Sequence, residues 1–404
     1  MTSTQQGPLS GLTVLDLTTV IMGPYATQIL GDLGADIIKI ESPGGDSLRY
    51  HVPQRGVGMA GFFLDLNRNK RSLVLDLKRD DATAALMKLV ARADVVVHNM
   101  RPQAIAKLGL GYETVAAVKP DIIYCAAVGF GSQGPYATRA AYDDTIQAAS
   151  GFASVMGRQR GEPSFVPSVI CDKVAGQMVA NAILAALFHR ERSGRGQAVE
   201  VPMFESLVSF NLVEHIGPYA FEPALDEPGW KRVLSPARKP FRTKDGYACL
   251  LPYSDRNWRD FFTFINRPEL SDDARFKTMP QRVQNVDDLY RIVEESAPTY
   301  TNAEWMEFCD NASIPAMPVL GIKDLWQDDH LAKVNMFSVQ DHPSEGRYKS
   351  VRHPVSYSET APGLRRHAPQ LGQNTHEILS ELGYDAADID RMSGRTPPVP
   401  AGRE

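Results

Sequence analysis

The chain has 404 residues, more than one compact hydrophobic core usually holds, because single cores stop growing at about 250 to 300 residues. Its 43 basic and 48 acidic side chains give a formal net charge of −5, which argues against nucleic-acid binding through overall positive charge. Apolar and charged fractions of 43% and 23% are ordinary for a soluble globular protein.

The first 131 residues alternate short β-rich segments with helical ones. Strands are predicted at 12–17, 35–41, 71–78, 94–100 and 121–131, and helices at 23–34, 80–93 and 112–119. This alternation gives right-handed crossovers and a parallel sheet that helices cover on both faces. We therefore predict a doubly wound, Rossmann-like α/β domain.

The segment VPSVICDKVAGQMVANAILAAL, residues 166–187, places one carboxylate, Asp172, at the beginning of a long apolar helix. Asp is among the best N-cap residues, because its side chain accepts a backbone N–H of the first turn and its charge suits the helix dipole. Capping is therefore the simplest explanation of Asp172. A catalytic role is the alternative, and it depends on the other motifs of the chain.

Residues 220–334 have a different composition, with Trp230, Trp258 and Trp305, a strand-like stretch at 242–253 and helical stretches at 255–265 and 286–296. This pattern predicts a smaller α+β domain. The expected division is a large domain over 1–219, the small domain over 220–334, and a return segment over 335–404 that completes the large domain. The Pro- and Gly-rich tail, 393–404, is expected to lie on the surface or fray.

Signals for other compartments and for metal binding are missing from the sequence. The start MTSTQQGPLSG lacks the basic and apolar parts of a secretory signal, and no uninterrupted apolar run reaches the roughly 18 residues of a membrane span. The four cysteines, Cys125, Cys171, Cys249 and Cys309, lack CxxC spacing, and the nine histidines are dispersed. We expect a cytoplasmic protein with free thiols, no metal and no membrane partner.

Several common catalytic motifs are also missing. Glu41 ends the second predicted strand, as in nicotinamide-dependent dehydrogenases, but the preceding turn has Gly23 followed by Pro24 and lacks the GxGxxG spacing that admits a pyrophosphate. The chain has no GxxxxGK[ST], HExxH or GxSxG motif. ATP hydrolysis, zinc hydrolysis and serine-hydrolase chemistry therefore have no support in the sequence.

A local basic cluster, Arg68, Lys70, Arg71 and Lys78, stands between a loop and the strand that follows it. Side-chain and backbone donors in such a place bind phosphates. A solvated charged surface is the alternative explanation of this cluster.

Seven motifs occur in a recognisable order. They are 14–41 (VLDLTTVIMGPYATQILGDLGADIIKIE), 64–78 (LDLNRNKRSLVLDLK), 93–102 (ADVVVHNMRP), 142–151 (YDDTIQAASG), 171–176 (CDKVAG), 183–206 (ILAALFHRERSGRGQAVEVPMFES) and 368–379 (APQLGQNTHEIL). Together they resemble the class III CoA-transferase family, which includes formyl-CoA transferase and carnitine CoA-transferase and is related to α-methylacyl-CoA racemase. The resemblance covers about residues 9–215 and 365–385, and it is much weaker across residues 220–334.

The resemblance implies that Asp172 is a nucleophile, since it matches the family's aspartate before the long apolar helix. In that chemistry the carboxylate attacks an acyl-CoA thioester, gives an acyl-aspartyl anhydride and then an aspartyl-CoA thioester, and CoA passes to a second acid. An unperturbed aspartate, with a pKa of about 3.9, is ionised at neutral pH. The CoA thioester is a substrate, and no permanently bound cofactor is expected.

The resemblance also implies a CoA site and a quaternary structure. The positions that match the family's CoA site are Val20, Leu75, Lys78, Asn99, Met100, Lys107, Leu108, Tyr142 and Met203. Arg71 joins this set from the basic cluster, and Asn99 and Met100 end a predicted strand, where doubly wound sheets bind ligands. Family members form interlocked dimers, so we expect an obligate homodimer whose other partners are CoA esters and small carboxylic acids.

Three departures from the family bear on the substrate. Ile21 stands where formyl-CoA transferase has glutamine, and Ser42 stands where the family often has a basic residue. The tetraglycine loop of formyl-CoA transferase is missing from the 220–260 region of this chain. Oxalate is therefore not the expected acceptor. Tyr142 stands where the related racemases place a catalytic histidine, which disfavours racemisation. We therefore predict an acyl-CoA:carboxylate CoA-transferase with succinyl-CoA or acetyl-CoA as a donor. A racemase and a non-catalytic CoA-binding protein are the alternatives.

Overall fold

The computed structural model describes residues 7–394, without the side chains of residues 159 and 160. Within this range the chain forms two compact units, one of residues 7–149, 168–208 and 332–394, the other of residues 150–167 and 209–331. The predicted domain boundaries at 219/220 and 334/335 stay a prediction. Most of the predicted surface tail lies outside the described residues.

The strands are β1 (Thr13–Leu17), β2 (Asp36–Glu41), β3 (Lys70–Val74), β4 (Val95–His98), β5 (Ile123–Val128), β6 (Gln197–Pro202), β7 (Phe241–Arg242), β8 (Tyr247–Leu250), β9 (Ala316–Pro318), β10 (Phe337–His342) and β11 (Gly346–Val351). The α-helices are α1 (Met22–Asp32), α2 (Gly61–Leu66), α3 (Asp80–Val90), α4 (Pro102–Lys107), α5 (Tyr112–Val118), α6 (Asp143–Ala149), α7 (Phe152–Arg160), α8 (Ile170–Ser193), α9 (Met203–His215), α10 (Lys231–Leu234), α11 (Asp255–Phe264), α12 (Met279–Gln284), α13 (Val286–Ser296), α14 (Asn302–Ala312), α15 (Asp329–Lys333), α16 (Thr375–Glu381) and α17 (Ala386–Met392). Short 3₁₀ turns lie at Ser47–Tyr50, Gly217–Ala220, Pro268–Asp272, Ala297–Thr299 and Asp324–Gln327.

The central sheet of the first unit has six parallel strands in the order β3-β2-β1-β4-β5-β6. The predicted mixed α/β class with a parallel sheet is confirmed, although β3 ends at Val74 rather than at 78 and β6 was not predicted. Leu15 of β1 pairs with Ile38 of β2 on one side and with Val96 of β4 on the other. The strand order reverses between β1 and β4, and ligands of doubly wound sheets bind in the crevice at the carboxyl ends of such strands.

One face of this sheet buries a continuous apolar core. Alternate residues of the strands, such as Leu15 and Val96, pack against Leu86 of α3 and Val115 of α5. The chain end contributes to the same core through α16 and α17. A side-chain bond fixes α16 beside the sheet, because the Asn374 side-chain oxygen accepts the Ser72 N–H at 3.1 Å.

Helix α8 has 24 residues and packs closely against α1 in the same unit. A Cβ at Gly176 would lie 2.7 Å from the Met22 carbonyl oxygen, so only glycine allows this approach. By length and composition alone α8 could cross a membrane, but the core helix of a soluble protein passes the same test. It ends at Ser193, and the C-cap residue Gly194 has a φ of 69°, the left-handed conformation in which helices commonly end.

The second unit has an aromatic core of its own. Trp305 is fully buried and stacks on Phe261, with ring centroids 5.8 Å apart, and Trp258 is also buried. The helices predicted at 255–265 and 286–296 are α11 and α13, and β7, β8 and β9 form an antiparallel sheet.

Candidate active site

The crevice at the reversal of strand order is spanned by a pair of reciprocal hydrogen bonds. The Thr19 N–H donates to the Asn99 side-chain oxygen at 3.0 Å, and Asn99 Nδ2 donates to the Thr19 carbonyl oxygen at 2.8 Å. Thr19 follows β1 and Asn99 follows β4. The loop that leads into α1 is therefore fixed to the carboxyl end of the neighbouring strand.

Val20, the next residue of this loop, has a φ of 70°. A left-handed backbone is unusual for a β-branched residue and persists only where neighbouring contacts impose it. Here the Val20 N–H donates to the Asp46 carboxylate at 3.2 and 3.3 Å, and Lys39 Nζ donates both to Asp46, at 3.0 Å, and to the Thr18 carbonyl oxygen, at 2.8 Å. The buried Lys39–Asp46 pair thus holds the loop in this conformation.

Asp172 is not the N-cap of α8, and the capping prediction was wrong. The helix begins at Ile170 with Val169 at the N-cap position, so Asp172 is the third residue of the first turn. Asp143 supplies the missing acceptor, because its Oδ2 accepts the N–H groups of Cys171 at 2.7 Å and of Asp172 at 3.1 Å. The Asp172 carboxylate is therefore free of the capping role.

The surroundings of Asp172 disfavour its charge. Burial raises the pKa of its carboxyl to about 6, the negative charge of Asp143 adds to this rise, and a hydrogen bond with the Met22 backbone opposes it. No lysine, arginine or histidine whose side chain the structure describes forms an ion pair with it. Asp172 is thus mostly ionised at neutral pH but carries a carboxylate that no cation stabilises, which is a favourable state for a nucleophile.

Asp172 lines a cleft of about 220 Å³ at the carboxyl edge of the sheet. Five of the predicted CoA-site residues line the same cleft: Val20, Asn99, Met100, Tyr142 and Met203. Tyr142 is largely exposed, whereas Met203 is buried. Residues that lie far apart in the sequence therefore converge on the candidate nucleophile.

The other predicted CoA-site residues do not line this cleft. Leu75 is buried in the core of the first unit, and Leu108 packs against that core. Lys78 and Lys107 are exposed, after β3 and in the last turn of α4 respectively.

Most of the basic cluster pairs with carboxylates. Arg68 binds Asp32 and Asp65, each at 2.6 Å, and Lys70 binds Asp16 at 3.1 Å. Arg71 donates to Asp36 at 2.5 Å and to Glu377 at 3.1 Å. Of the four cations, Lys78 is the exposed one, and a contact between Arg71 and CoA stays a prediction.

Three residues that lie in the cleft or next to it were not predicted from the sequence. Arg101 and Arg139 line the cleft, and the Arg139 guanidinium lies 4.1 Å from the Tyr136 ring centroid. Asp143 caps α8, as described above. Arg139 and Asp143 could have been suspected as site residues, because they lie close to Tyr142 in the sequence. Nothing in the sequence, however, places Asp143 beside Cys171.

Other candidate ligand groups are accounted for by local contacts. The Glu41 carboxylate, which could have bound a ribose, accepts from Arg49 at 2.6 Å and from Ser72 Oγ at 2.6 Å. In the described part of the chain no group of three His, Cys, Asp or Glu side chains could hold a metal ion. The four cysteines are free, and Cys249 is the exposed one.

A six-stranded parallel sheet with a ligand crevice at the carboxyl ends of its strands defines the class as a doubly wound α/β protein. The chain belongs to CoA-transferase family III, whose family model matches residues 9–375. The predicted family is confirmed.

Curated relatives extend along nearly the whole chain. A mouse succinyl-CoA:glutarate CoA-transferase is 32% identical over 95% of this chain and 89% of its own length. A succinyl-CoA:mesaconate CoA-transferase of Haloarcula hispanica is 33% identical, covering 93% and 97%, and a formyl-CoA:oxalate CoA-transferase of Streptomyces coelicolor is 32% identical, covering 94% and 97%. The predicted enzyme class, a transferase that acts on CoA thioesters, is confirmed.

Solved structures show the same fold. Rv3272 from Mycobacterium tuberculosis matches with a TM-score of 0.80 at 29% identity, covering 93% of this chain and 99% of its own. A CAIB/BAIF family protein from Brucella suis matches with a TM-score of 0.79 at 30% identity, covering 94% and 100%.

Proposed function

We propose that this enzyme moves CoA from an acyl-CoA to a free carboxylic acid through covalent intermediates on Asp172. The observation that carries the proposal is the unpaired Asp172 carboxylate, which lines the crevice while Asp143 caps the helix in its place. A carboxylate used as the cap of α8 or in an ion pair would lose reactivity. Among the described side chains, Asp172 has no cationic partner, and it does not cap α8.

Each step exchanges one acyl bond for another. An Asp172 oxygen attacks the thioester carbon, the C–S bond breaks, and CoA leaves as the thiolate, which gives an acyl-aspartyl anhydride. The thiolate then attacks the Asp172 carboxyl carbon and releases the donor acid as its carboxylate. The acceptor carboxylate repeats both steps in reverse order, which forms its CoA ester and restores Asp172. No proton, water or metal is consumed.

The CoA thioester end is proposed to lie in the cleft beside Val20, Asn99 and Met100, with Tyr142 and Met203 completing the lining. Leu75 and Leu108 stay predicted contacts of the rest of CoA, and the exposed Lys78 and Lys107 would meet its phosphates. This arrangement uses the carboxyl edge of the sheet, where doubly wound folds bind nucleotides.

Succinyl-CoA is the proposed donor. Two of the relatives described above carry succinyl-CoA in their names, together with glutarate or mesaconate as the second acid. The exclusion of oxalate as the acceptor stays a prediction, and Ile21, on which it partly rests, lines a neighbouring cavity rather than the cleft.

A cytoplasmic homodimer is proposed as the working form. It is supported by an apolar groove of about 930 Å³ in the first unit, lined by Tyr25, Leu184 and Val355 among others, which a partner chain would cover. Light scattering should find the dimer at all concentrations that retain activity. A stable and active monomer would contradict this assignment.

The test of the mechanism is Asp172→Asn. Asn keeps the size of the side chain but forms neither the anhydride nor the thioester, so transfer should fall by at least about 10³-fold while the melting temperature stays near that of the parent. Asp144→Asn, an exposed change on α6, is the matched control and should keep parental activity.

The intermediate can also be trapped directly. After incubation with an acyl-CoA, mass spectrometry of the digested parent enzyme should show CoA, or a hydroxamate after hydroxylamine, on the peptide that contains Asp172. Near-parental turnover by Asp172→Asn, without reversion to Asp by deamidation, would rule out the mechanism. Loss of an α-proton label without CoA transfer would favour the racemase alternative.

A further inference from the structure

We propose that the buried Lys39–Asp46 pair positions the backbone around the nucleophile. The pair fixes the left-handed turn at Val20, and this turn holds the Met22 N–H against the Asp172 carboxylate. The proposal rests on the proposed transfer of CoA through Asp172. Neither Lys39 nor Asp46 lines the cleft, so both are positioning residues rather than catalytic ones.

Met22 links the loop after β1 to the candidate nucleophile. Its backbone forms the hydrogen bond that lowers the pKa of Asp172, and the N–H is the backbone group that can donate to a carboxylate. Met22 is the first residue of α1, and Ile21 at the N-cap provides no side-chain acceptor. Asp172 on α8 therefore accepts an N–H that has no partner inside α1. Gly176, one helical turn after Asp172, allows this close approach of Met22 to α8.

The conformation of Val20 sets the direction in which the chain enters α1. Its φ of 70° is unfavourable for a β-branched residue, and strain of this kind persists only where the surroundings impose it. If Val20 relaxed to a negative φ, the path into α1 would change and the Met22 N–H would turn away from Asp172. The orientation of the nucleophile thus depends on whatever holds Val20.

The restraint on this loop comes from buried charges. The side chains of Lys39 and Asp46 are both fully buried, so water does not replace either partner. Lys39 Nζ donates to the Thr18 carbonyl oxygen, and Asp46 accepts the Val20 N–H on the other side of the same turn. Asp46 is itself held by the Leu48 N–H, which donates to it at 3.0 Å. Two fixed charges therefore grip the backbone on both sides of residue 19.

The experiment is Lys39→Met/Asp46→Leu, which removes the pair without leaving one buried charge alone. Replacing a buried ion pair by apolar residues of similar volume is often neutral for stability, so the melting temperature should stay near that of the parent. The Val20 N–H loses its acceptor, however, and the turn can relax. With succinyl-CoA and glutarate, kcat should fall by about 100-fold, the loss that a displacement of about 1 Å causes in a preorganised site.

The pH profile separates positioning from a general loss of structure. Without the Met22 N–H the pKa of Asp172 rises, so the acid limb of transfer should move to higher pH. Removing one cation and one anion together leaves the net charge unchanged. The titratable groups around Asp172 also stay as they are, namely Asp143 on α6 and the exposed Arg101, Arg139 and Tyr142 in the cleft.

The matched control is Arg190→Met/Asp94→Leu. Asp94 accepts the Thr13 N–H at 2.8 Å and pairs with Arg190 at 2.9 Å, so it combines a backbone N–H and a cation as Asp46 does. It lies at the amino end of β1, away from the crevice at the carboxyl ends of the strands. Both kcat and the acid limb should therefore stay near those of the parent.

Glycine at the strained position provides a second test. Glycine adopts a positive φ about as readily as a negative one, so a loop that carries Val20→Gly depends less on Asp46. Removal of the pair should cost about 100-fold in kcat in the parent, but less than about tenfold when Val20→Gly is already present.

The inference is overturned if folded Lys39→Met/Asp46→Leu keeps the acid limb in place or moves it to lower pH. An equal loss of kcat with and without Val20→Gly also overturns it. If the double variant does not fold, Asp46→Ala provides the same measurements, because Lys39 then retains the Thr18 carbonyl and the nearby charge of Asp16.

Failure of this inference differs from failure of the proposed function. If Asp172→Asn abolishes transfer while removal of the Lys39–Asp46 pair leaves kcat and the pH profile unchanged, only the positioning role is wrong. If Asp172→Asn retains parental turnover, both are wrong.

Discussion

Two sets of carboxylates in the first unit, one buried and one in the cleft where Asp172 is partly buried, differ in the presence of a cation. Beneath the β1–α1 loop, Lys70 pairs with Asp16, Lys39 with Asp46 and Arg49 with Glu41, at 3.1, 3.0 and 2.6 Å. In the cleft, Asp172 has no such partner among the described residues, and its neighbour Asp143 is itself an acid.

The pKa values show the consequence. Burial alone would raise the pKa of the Asp16 carboxyl, but Lys70 and Lys39, with hydrogen bonds from Thr18 and Thr27, outweigh it and hold the pKa at about 2. Burial also raises the pKa of Asp172, and here Asp143 adds to the rise, so the pKa reaches about 6. Paired charges thus fix the shape of the loop, and the unpaired charge remains available for chemistry.

The largest loss of stability is expected for Lys39→Met, which removes the cation of a buried pair. This change leaves Asp46 without its cation in a fully buried site and removes one of the two lysines that stabilise the charge of Asp16, and breaking a buried pair costs about 3 to 5 kcal/mol. Urea unfolding should show this loss of stability. The control is Lys119→Met, because Lys119 pairs with Asp121 at 2.9 Å at a partly exposed site, where about 0 to 1 kcal/mol is expected. Equal losses in the two variants would mean that the buried pair has no special role.

A second comparison concerns cations rather than carboxylates. Lys78→Ala should weaken CoA binding by about 1 to 3 kcal/mol, the range for charge-assisted hydrogen bonds, when measured by calorimetry. A smaller loss is expected for Arg71→Ala, because Asp36 and Glu377 already accept from its guanidinium. An equal loss in Arg71→Ala would show that a paired cation also reaches CoA, and no loss in either would assign both to the protein surface.

The smallest expected effect is a shift of a pH profile. In the proposed mechanism only ionised Asp172 attacks, so transfer by the parent should fall about tenfold per pH unit below a pH of about 6. Asp143→Asn keeps an oxygen that can cap α8 but removes a negative charge, so the pKa of Asp172 should fall and the acid limb of the profile should move to lower pH.

The control for this shift is Asp144→Asn, since the charge of Asp144 is not among the causes that raise the pKa of Asp172. Initial rates between pH 4.5 and 8 would provide the profiles, at roughly half-unit steps. An acid limb that stays in place in Asp143→Asn, or that moves to higher pH, would show that Asp143 acts only as a cap.

The regular elements of the sheet domain were largely predictable because each leaves a local pattern. Buried parallel strands such as β1 and β4 are mostly apolar, and α3 has an apolar face at helical spacing. β6 was missed because its residues alternate between exposed and partly buried positions, so it lacks the apolar run of a central strand. The N-cap of α8 was misplaced because Asp172 has the residue type of a cap and the true acceptor, Asp143, is 29 positions away.

The sequence by itself determined the alternation of strands and helices, the family, and Asp172 as the candidate nucleophile. Each of these depends only on local residue patterns and on the order of motifs along the chain. The tertiary structure decided the partner of each charge. Arg71 meets Glu377, 306 positions away, Arg68 meets Asp32, 36 positions away, and Arg139 meets no acid in the described chain but lines the cleft of Asp172. The reason is physical: a charged side chain is stabilised by whatever lies within a few ångströms of it after folding, and sequence order does not record that distance.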